Sequence, residues 1–181
     1  MKKRYTSIIL LLTCLSIQAF SQVLNDAQTL RDGITSIYAA GERINSSEHF
    51  VGGIDFGISR RADIETRFRV GPNIMRISIN AEYALAHKPN ISVSLGGHYQ
   101  KKSSGADATL NISFPISRFF NVYTGVDTDI NFSGGTTSTP AWGFVGLNTF
   151  FFRSLEFYLE YNPPITSSAS LLLGSGLRIY F

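Results

Sequence analysis

Apolar and polar residues alternate with a period of two along most of the chain. In ISVSLGGHYQ, Ile91, Val93, Leu95 and Tyr99 share one face, while Ser92, Ser94, His98 and Gln100 share the other. That is the pattern of a strand with one apolar side. ATLNISFPI repeats it, with Ala108, Leu110, Ile112, Phe114 and Ile116 set against Thr109, Asn111 and Ser113. In NVYTGVDTDINF, Val122, Val126, Ile130 and Phe132 oppose Asn121, Tyr123, Asp127, Asp129 and Asn131.

Divided at turn signals, the alternation predicts about ten strands, with eight as the alternative: residues 33–42, 49–59, 62–70, 74–85, 91–101, 106–117, 119–132, 140–151, 154–162 and 168–181. The stretch QVLNDAQTLRDGITSIYAAGERI also tolerates a short helix, so residues 22–44 stand open between a strand, a plug helix and a lead segment. Most segments are about 9 to 13 residues long, enough for a tilted strand to cross a bilayer and longer than the roughly 5 or 6 usual in soluble sheets.

The junctions alternate in character. ISRRAD, AHKPN, ISRFF and FFRS are tight or moderately short, whereas INSSEH, GPN, QKKSSGAD, SGGTTSTP and NPPITSS are mostly longer and rich in Gly, Ser and Pro. Short turns at one end and longer loops at the other describe an up-and-down antiparallel barrel with both ends of the chain on the short-turn side. On that arrangement Phe119, Phe120, Phe150, Phe151, Phe152, Tyr180 and Phe181 collect at the lower rim, and Phe50, Phe68, Tyr99, Phe132, Trp142 and Tyr161 at the upper rim. Two aromatic rings separated by aliphatic residues are the girdles of a transmembrane barrel.

The segment MKKRYTSIILLLTCLSIQAFSQ changes the picture of charge and cysteine. Its basic start, apolar run and small residues at Ala19 and Ser21 predict a secretory signal peptide over residues 1–21, leaving 22–181 as one barrel domain. A lipoprotein reading of Cys14 is disfavoured, because Thr13 precedes it inside the apolar run. The whole chain has 16 Lys+Arg and 13 Asp+Glu; without Lys2, Lys3 and Arg4 the two signs balance. A nucleic-acid partner is therefore not expected. The single cysteine would leave with the leader, so neither disulfides nor thiolate metal sites are expected. After the leader no apolar run is long enough for a helical span.

The chain closes on GSGLRIYF, with Phe181 last, Ile179 two before it and Gly176 three before that. This ending resembles the terminal assembly signal of bacterial outer-membrane β-barrel proteins, although Gly174 stands where that family often has a polar residue. The resemblance implies an outer-membrane location, outer-membrane lipids as surroundings and the barrel-assembly machinery as a partner that reads Gly176, Ile179 and Phe181. An exposed strand edge suits such a reader, because its N–H and C=O groups are unpaired.

A membrane barrel turns its apolar faces to lipid and its polar faces inward. The expected lumen then holds Asp55, Glu65, Arg67, Arg69, Arg76, Glu82, Asp107, Asp127, Asp129, Glu156, Glu160 and Arg178, together with Asn80, His98, Gln100, Asn111 and Asn131. One reading is a charge-paired plug that holds the wall together. Another is a narrow conduit for a small solute, with Arg67, Arg69, Arg76 and Arg178 facing Asp127, Asp129, Glu156 and Glu160. A rim enzyme acting on lipid A or peptides would draw on His49 with Ser46, Ser47 and Glu48, or on His98 with Thr109 and Asp107. A soluble ligand-binding barrel would need the reverse polarity. No cofactor or metal motif is present in the sequence.

Overall fold

The computed structural model describes residues 29–181 apart from Asn73 and Arg153. The predicted signal peptide and residues 22–28 lie outside the described residues.

Eleven strands form: β1 (Thr35–Ile44), β2 (Ser47–Ser59), β3 (Ala62–Gly71), β4 (Ile74–His87), β5 (Asn90–Gln100), β6 (Ser103–Pro115), β7 (Phe120–Ser133), β8 (Thr136–Ser138), β9 (Ala141–Phe152), β10 (Leu155–Asn162) and β11 (Leu172–Tyr180). No helix occurs among the described residues. Every pairing is antiparallel, each stave lies beside its neighbour in the chain, and β1 pairs with β11, so ten staves close into a barrel. The eight-stave alternative is thereby set aside. β8 is no stave; it pairs only with the end of β7, in the loop that leads to β9. The seam continues past the ladder of β1 and β11, where the Phe181 N–H donates to the Thr35 carbonyl at 2.9 Å.

The alternation decides the orientation of every stave. On β4, Met75, Ile77, Ile79, Tyr83 and Leu85 are exposed on the outside, while Arg76, Ser78, Asn80 and Glu82 turn inward. Ile54, Leu95, Leu110, Val126, Val145, Leu159 and Leu177 face outward in the same way. The interior is correspondingly polar: Glu42 is 0% exposed, and Glu156 and Glu160 are each 1% exposed. Exposed apolar area on this scale is far beyond the patches of a soluble monomer. An apolar exterior around a polar interior is the pattern of a transmembrane barrel.

Several expectations change at the rims. The upper connections between β1 and β2, β3 and β4, and β5 and β6 are two-residue turns, no longer than the lower ones. Asn45 and Lys102 make two of them possible by adopting left-handed φ angles of 55° and 69°, as tight hairpins require. The long upper connections are residues 134–140 and 163–171. β11 starts at Leu172, four residues later than expected, because residues 163–171 fold across the top of β9. There the Ile165 N–H donates to the Ala141 carbonyl (2.8 Å), and the Trp142 indole N–H donates to the Ser170 carbonyl (2.7 Å). Trp142 is therefore buried inside the upper mouth and is not part of the outer girdle. Tyr180 also turns inward, its hydroxyl donating to Glu156, and Phe150 packs against the Tyr180 ring. Phe119, Phe151, Phe152 and Phe181 remain outside at the lower rim.

Residues 29–34 are neither a plug helix nor strand. They form a turn beneath the lower end of β2 and β3, where the Gly33 N–H reaches the Gly57 carbonyl (3.0 Å) and the Leu30 N–H donates to Asp63 (2.8 Å).

Candidate functional site in the barrel lumen

Registers climb around the wall, so inward residues fall into inclined rows. One row runs Glu156, Arg178, Tyr38, Gly53, Arg67, Ser78, His98, Gly105 and Asn131 through successive partner strands. From Tyr38 onward, larger side chains along it are separated by Gly53, Ser78 and Gly105, because the interior of a small barrel is only about as wide as the side chains that fill it. Tyr38 leans over its partner Gly53, and Tyr158 leans over its partner Gly176. A methyl group on Gly53 would collide with the Tyr38 ring, and one on Gly176 with the Tyr158 hydroxyl and the Ala39 carbonyl. Gly176 thus has a packing role inside the barrel, separate from any part in an assembly signal. Tyr38, Ala40, Val51 and Tyr158 form an apolar cluster within the polar lumen.

Around this cluster the charges pair. Arg67 contacts Glu65 at 2.7 Å, and the Tyr38 hydroxyl and Asn80 amide also donate to Glu65. Arg69 meets Glu42 at 2.8 Å. Arg178 reaches Asp55 at 3.3 Å and Glu156 at 3.9 Å, and lies 5.4 Å from the centre of the Tyr38 ring. Acids outnumber the guanidiniums of Arg67, Arg69, Arg76 and Arg178, so neutral donors serve the others. Ser36 donates to Asp55 at 2.5 Å, Thr109 donates to Asp127 at 2.6 Å, and Asn148 donates to Glu156. Hydrogen bonds of this kind are what make carboxylates tolerable away from bulk water.

Arg76 ties together three neighbouring staves. From β4 its guanidinium spans to Asp107 on β6 (2.6 Å), to Asp129 on β7 (2.6 Å) and to His98 Nδ1 on β5 (3.1 Å). His98 Nδ1 also lies 2.6 Å from Asp107, and its Nε2 lies 2.9 Å from the Asn131 carbonyl oxygen. One atom from each of His98, Asp107 and Asp129 falls within 4.8 Å of the others, a spacing a metal ion could use. The Arg76 guanidinium already contacts all three, and in that arrangement the cluster has its cation.

The residues singled out from sequence fall into place as follows. Arg67, Arg69, Arg76, Glu82, Asp127, Asp129, Glu156, Glu160 and Arg178 all turn inward, and Arg178 and Glu156 meet. Arg76 faces Asp129, whereas Asp127 is held by Thr109. His98 and Asp107 are in contact, but Thr109 is committed to Asp127 instead of joining them. His49 is not in a rim loop: it sits in β2, buried and pointing into the lumen, opposite Glu42 across the β1–β2 ladder. Ser47 and Glu48 stay exposed on the rim. Glu42 and Asp63 are lumen carboxylates not foreseen from the sequence. Each shares parity with inward neighbours, Glu42 with Ser36, Tyr38 and Ala40, and Asp63 with Glu65 and Arg67.

Arg69, Arg76, Asp107, Thr109, Asp127 and Asp129 help to line a cavity with about 30 Å³ of room for the centre of a water molecule, enough for roughly two waters. Such a chamber can hydrate charges.

Among solved structures the chain is similar to an outer membrane channel from Pseudomonas putida F1, with 10% identity and a TM-score of 0.56 over 88% of this chain and 100% of that one. Looser likenesses are to designed transmembrane β-barrels (12% identity, TM-score 0.46, 84% and 99% coverage) and to the N-terminal barrel domain of Pseudomonas aeruginosa OprF (15%, 0.42, 84% and 100%). No family model and no curated protein matches the chain. At this identity the likeness concerns the fold.

Proposed function

We propose that this chain is a bacterial outer-membrane β-barrel whose lumen is sealed by its own ion pairs, a structural barrel and not an open pore. The observation that carries the reading is the inversion of polarity. Greasy residues cover the outside from rim to rim, and buried carboxylates and guanidiniums, joined to one another, fill the inside. β4, with 14 residues, is long enough at about 3.3 Å per residue to cross a hydrocarbon layer of about 30 Å at a steep tilt. A solved neighbour that shares the fold, from Pseudomonas putida F1, is an outer membrane channel. Partners on this reading are the surrounding lipids and the assembly machinery, which would use Gly176, Ile179 and Phe181 before the seam closes.

Membrane integration is tested by fractionation. The protein should remain with outer membranes through a high-salt wash, enter detergent, and migrate faster on a gel before boiling than after. Release by salt alone would overturn the reading.

A narrow conduit is the second reading, supported by the polar cavity between Arg69, Arg76 and Asp127. In planar bilayers the sealed barrel gives no discrete conductance, whereas reproducible steps would favour the conduit.

A further inference from the structure

Charge on the outer surface is distributed unequally between the two rims. The outward positions between the Arg43–Glu48 pair at the top and the lower turns carry no charged residue among the described residues. At the lower rim, Arg60 and Arg61 occupy the β2–β3 turn, Lys88 the β4–β5 turn and Arg118 the β6–β7 turn. Arg31 joins them from the segment docked under β2. All five are exposed, and none forms an ion pair with another of the described residues. The acids nearby do not offset them. Asp63 is buried and turned to the Leu30 N–H, and Asp32 is the one exposed acid in that segment. The long upper connections, residues 134–140 and 163–171, contain no charged residue, and the cations of the upper turns are confined to Lys101 and Lys102 between β5 and β6.

We infer that the lower rim is a binding collar for anionic phospholipid headgroups of the adjoining leaflet. This rests on the membrane reading above and adds to it a lipid class and a side. Three successive lower turns present cations just beyond the apolar belt, at the level where phosphates of a bilayer lie. Arg118 shows the geometry on a single residue: its guanidinium sits 4.5 Å from the centre of the outward Phe119 ring. The ring lies at the edge of the hydrocarbon and the charge extends from it toward the headgroups, as amphipathic side chains do at this boundary. Basic residues next to an anionic leaflet each favour it by a measurable amount, and the attraction fades as salt is raised.

The test uses the folded protein in nanodiscs made from equal parts phosphatidylglycerol and phosphatidylcholine, with native mass spectrometry counting the lipids that stay bound. The wild type should retain phosphatidylglycerol in clear excess. The variant Arg60→Gln, Arg61→Gln, Arg118→Gln should lower that excess by about fivefold for each cation that touches a headgroup. An upper-rim variant, Lys101→Gln, Lys102→Gln, should keep it. Added salt should erode the wild-type preference without any substitution, a second readout that does not depend on a variant folding. An unchanged ratio in the lower-rim variant, loss confined to the upper-rim variant, or no preference in the wild type would overturn the collar and leave the barrel standing. Failure of the protein to stay in the discs would remove the membrane reading, and the collar with it.

Discussion

Replacing Arg76 by Met tests whether the lumen is held together by its ion pairs. The substitution keeps much of the side-chain volume and removes the charge that Asp107 and Asp129 each approach at 2.6 Å. Arg76 is only 12% exposed and its two partners 11% and 6%, so the abandoned carboxylates would have little beyond the small adjoining cavity to solvate them. Breaking a buried pair by removing one partner typically costs ~3–5 kcal/mol. Because one guanidinium serves two carboxylates, the upper half of that range is expected, a change of roughly three decades in the unfolding equilibrium at 1.4 kcal/mol per decade. Reversible urea unfolding in phospholipid vesicles reads the difference through Trp142, the sole tryptophan, whose indole lies inside the upper mouth. The companion variant Arg76→Met, Asp107→Asn, Asp129→Asn removes the stranded charges and should recover most of the loss. A single variant within about 1 kcal/mol of wild type, the value of a weak surface pair, would refute the reasoning. So would a triple variant no better than the single one.

Three further outcomes follow from the geometry. Gly176→Ala should destabilise the barrel by about 1–3 kcal/mol through overpacking, because its methyl group meets the Tyr158 hydroxyl and the Ala39 carbonyl; equilibrium unfolding measures it, and an unperturbed midpoint would show that the tyrosine can move aside. Arg76→Ser should free His98, Asp107 and Asp129, whose ligand atoms lie within 4.8 Å, to take up zinc, so micromolar zinc should raise the thermal midpoint of this variant and leave the wild type unaffected. Trp142→Phe removes the hydrogen bond to Ser170, worth about 1 kcal/mol, and should speed hydrogen exchange in residues 163–171 relative to the lower turns.

The wall was legible in the sequence because a barrel obeys a strict rule. With an apolar exterior and a polar filling, each stave must alternate, and β5, β6 and β7 do so almost without exception. The same rule would have found Glu42 and Asp63, had the parity of Tyr38 and Arg67 been carried through. Trp142 misled because aromatic residues near a rim suit either side of the wall. Its inward position depends on residues 163–171 folding over it, and no local pattern encodes that. The partners of each lumen charge were equally hidden. Arg76 finds Asp129 at a sequence distance of 53 residues, a pairing set by how far the registers climb from stave to stave. His98 and Asp107 could be read as neighbours because one hairpin joins them. The commitment of Thr109 to Asp127 could not, since it requires knowing which rotamer the crowded interior leaves open.

The most direct test of the central claim is a cysteine scan along β4, from Met75 to Glu82, in vesicles that contain lipids with a quencher on their acyl chains. The only native cysteine is Cys14, so an environment-sensitive fluorophore can be placed at one position at a time once that residue is replaced. Labels at 75, 77, 79 and 81 should be quenched by the lipid chains, and labels at 76, 78, 80 and 82 should be shielded from them. Quenching with the opposite parity, or equal quenching at all eight positions, would contradict a barrel that wears its apolar face outward and keeps its charges within.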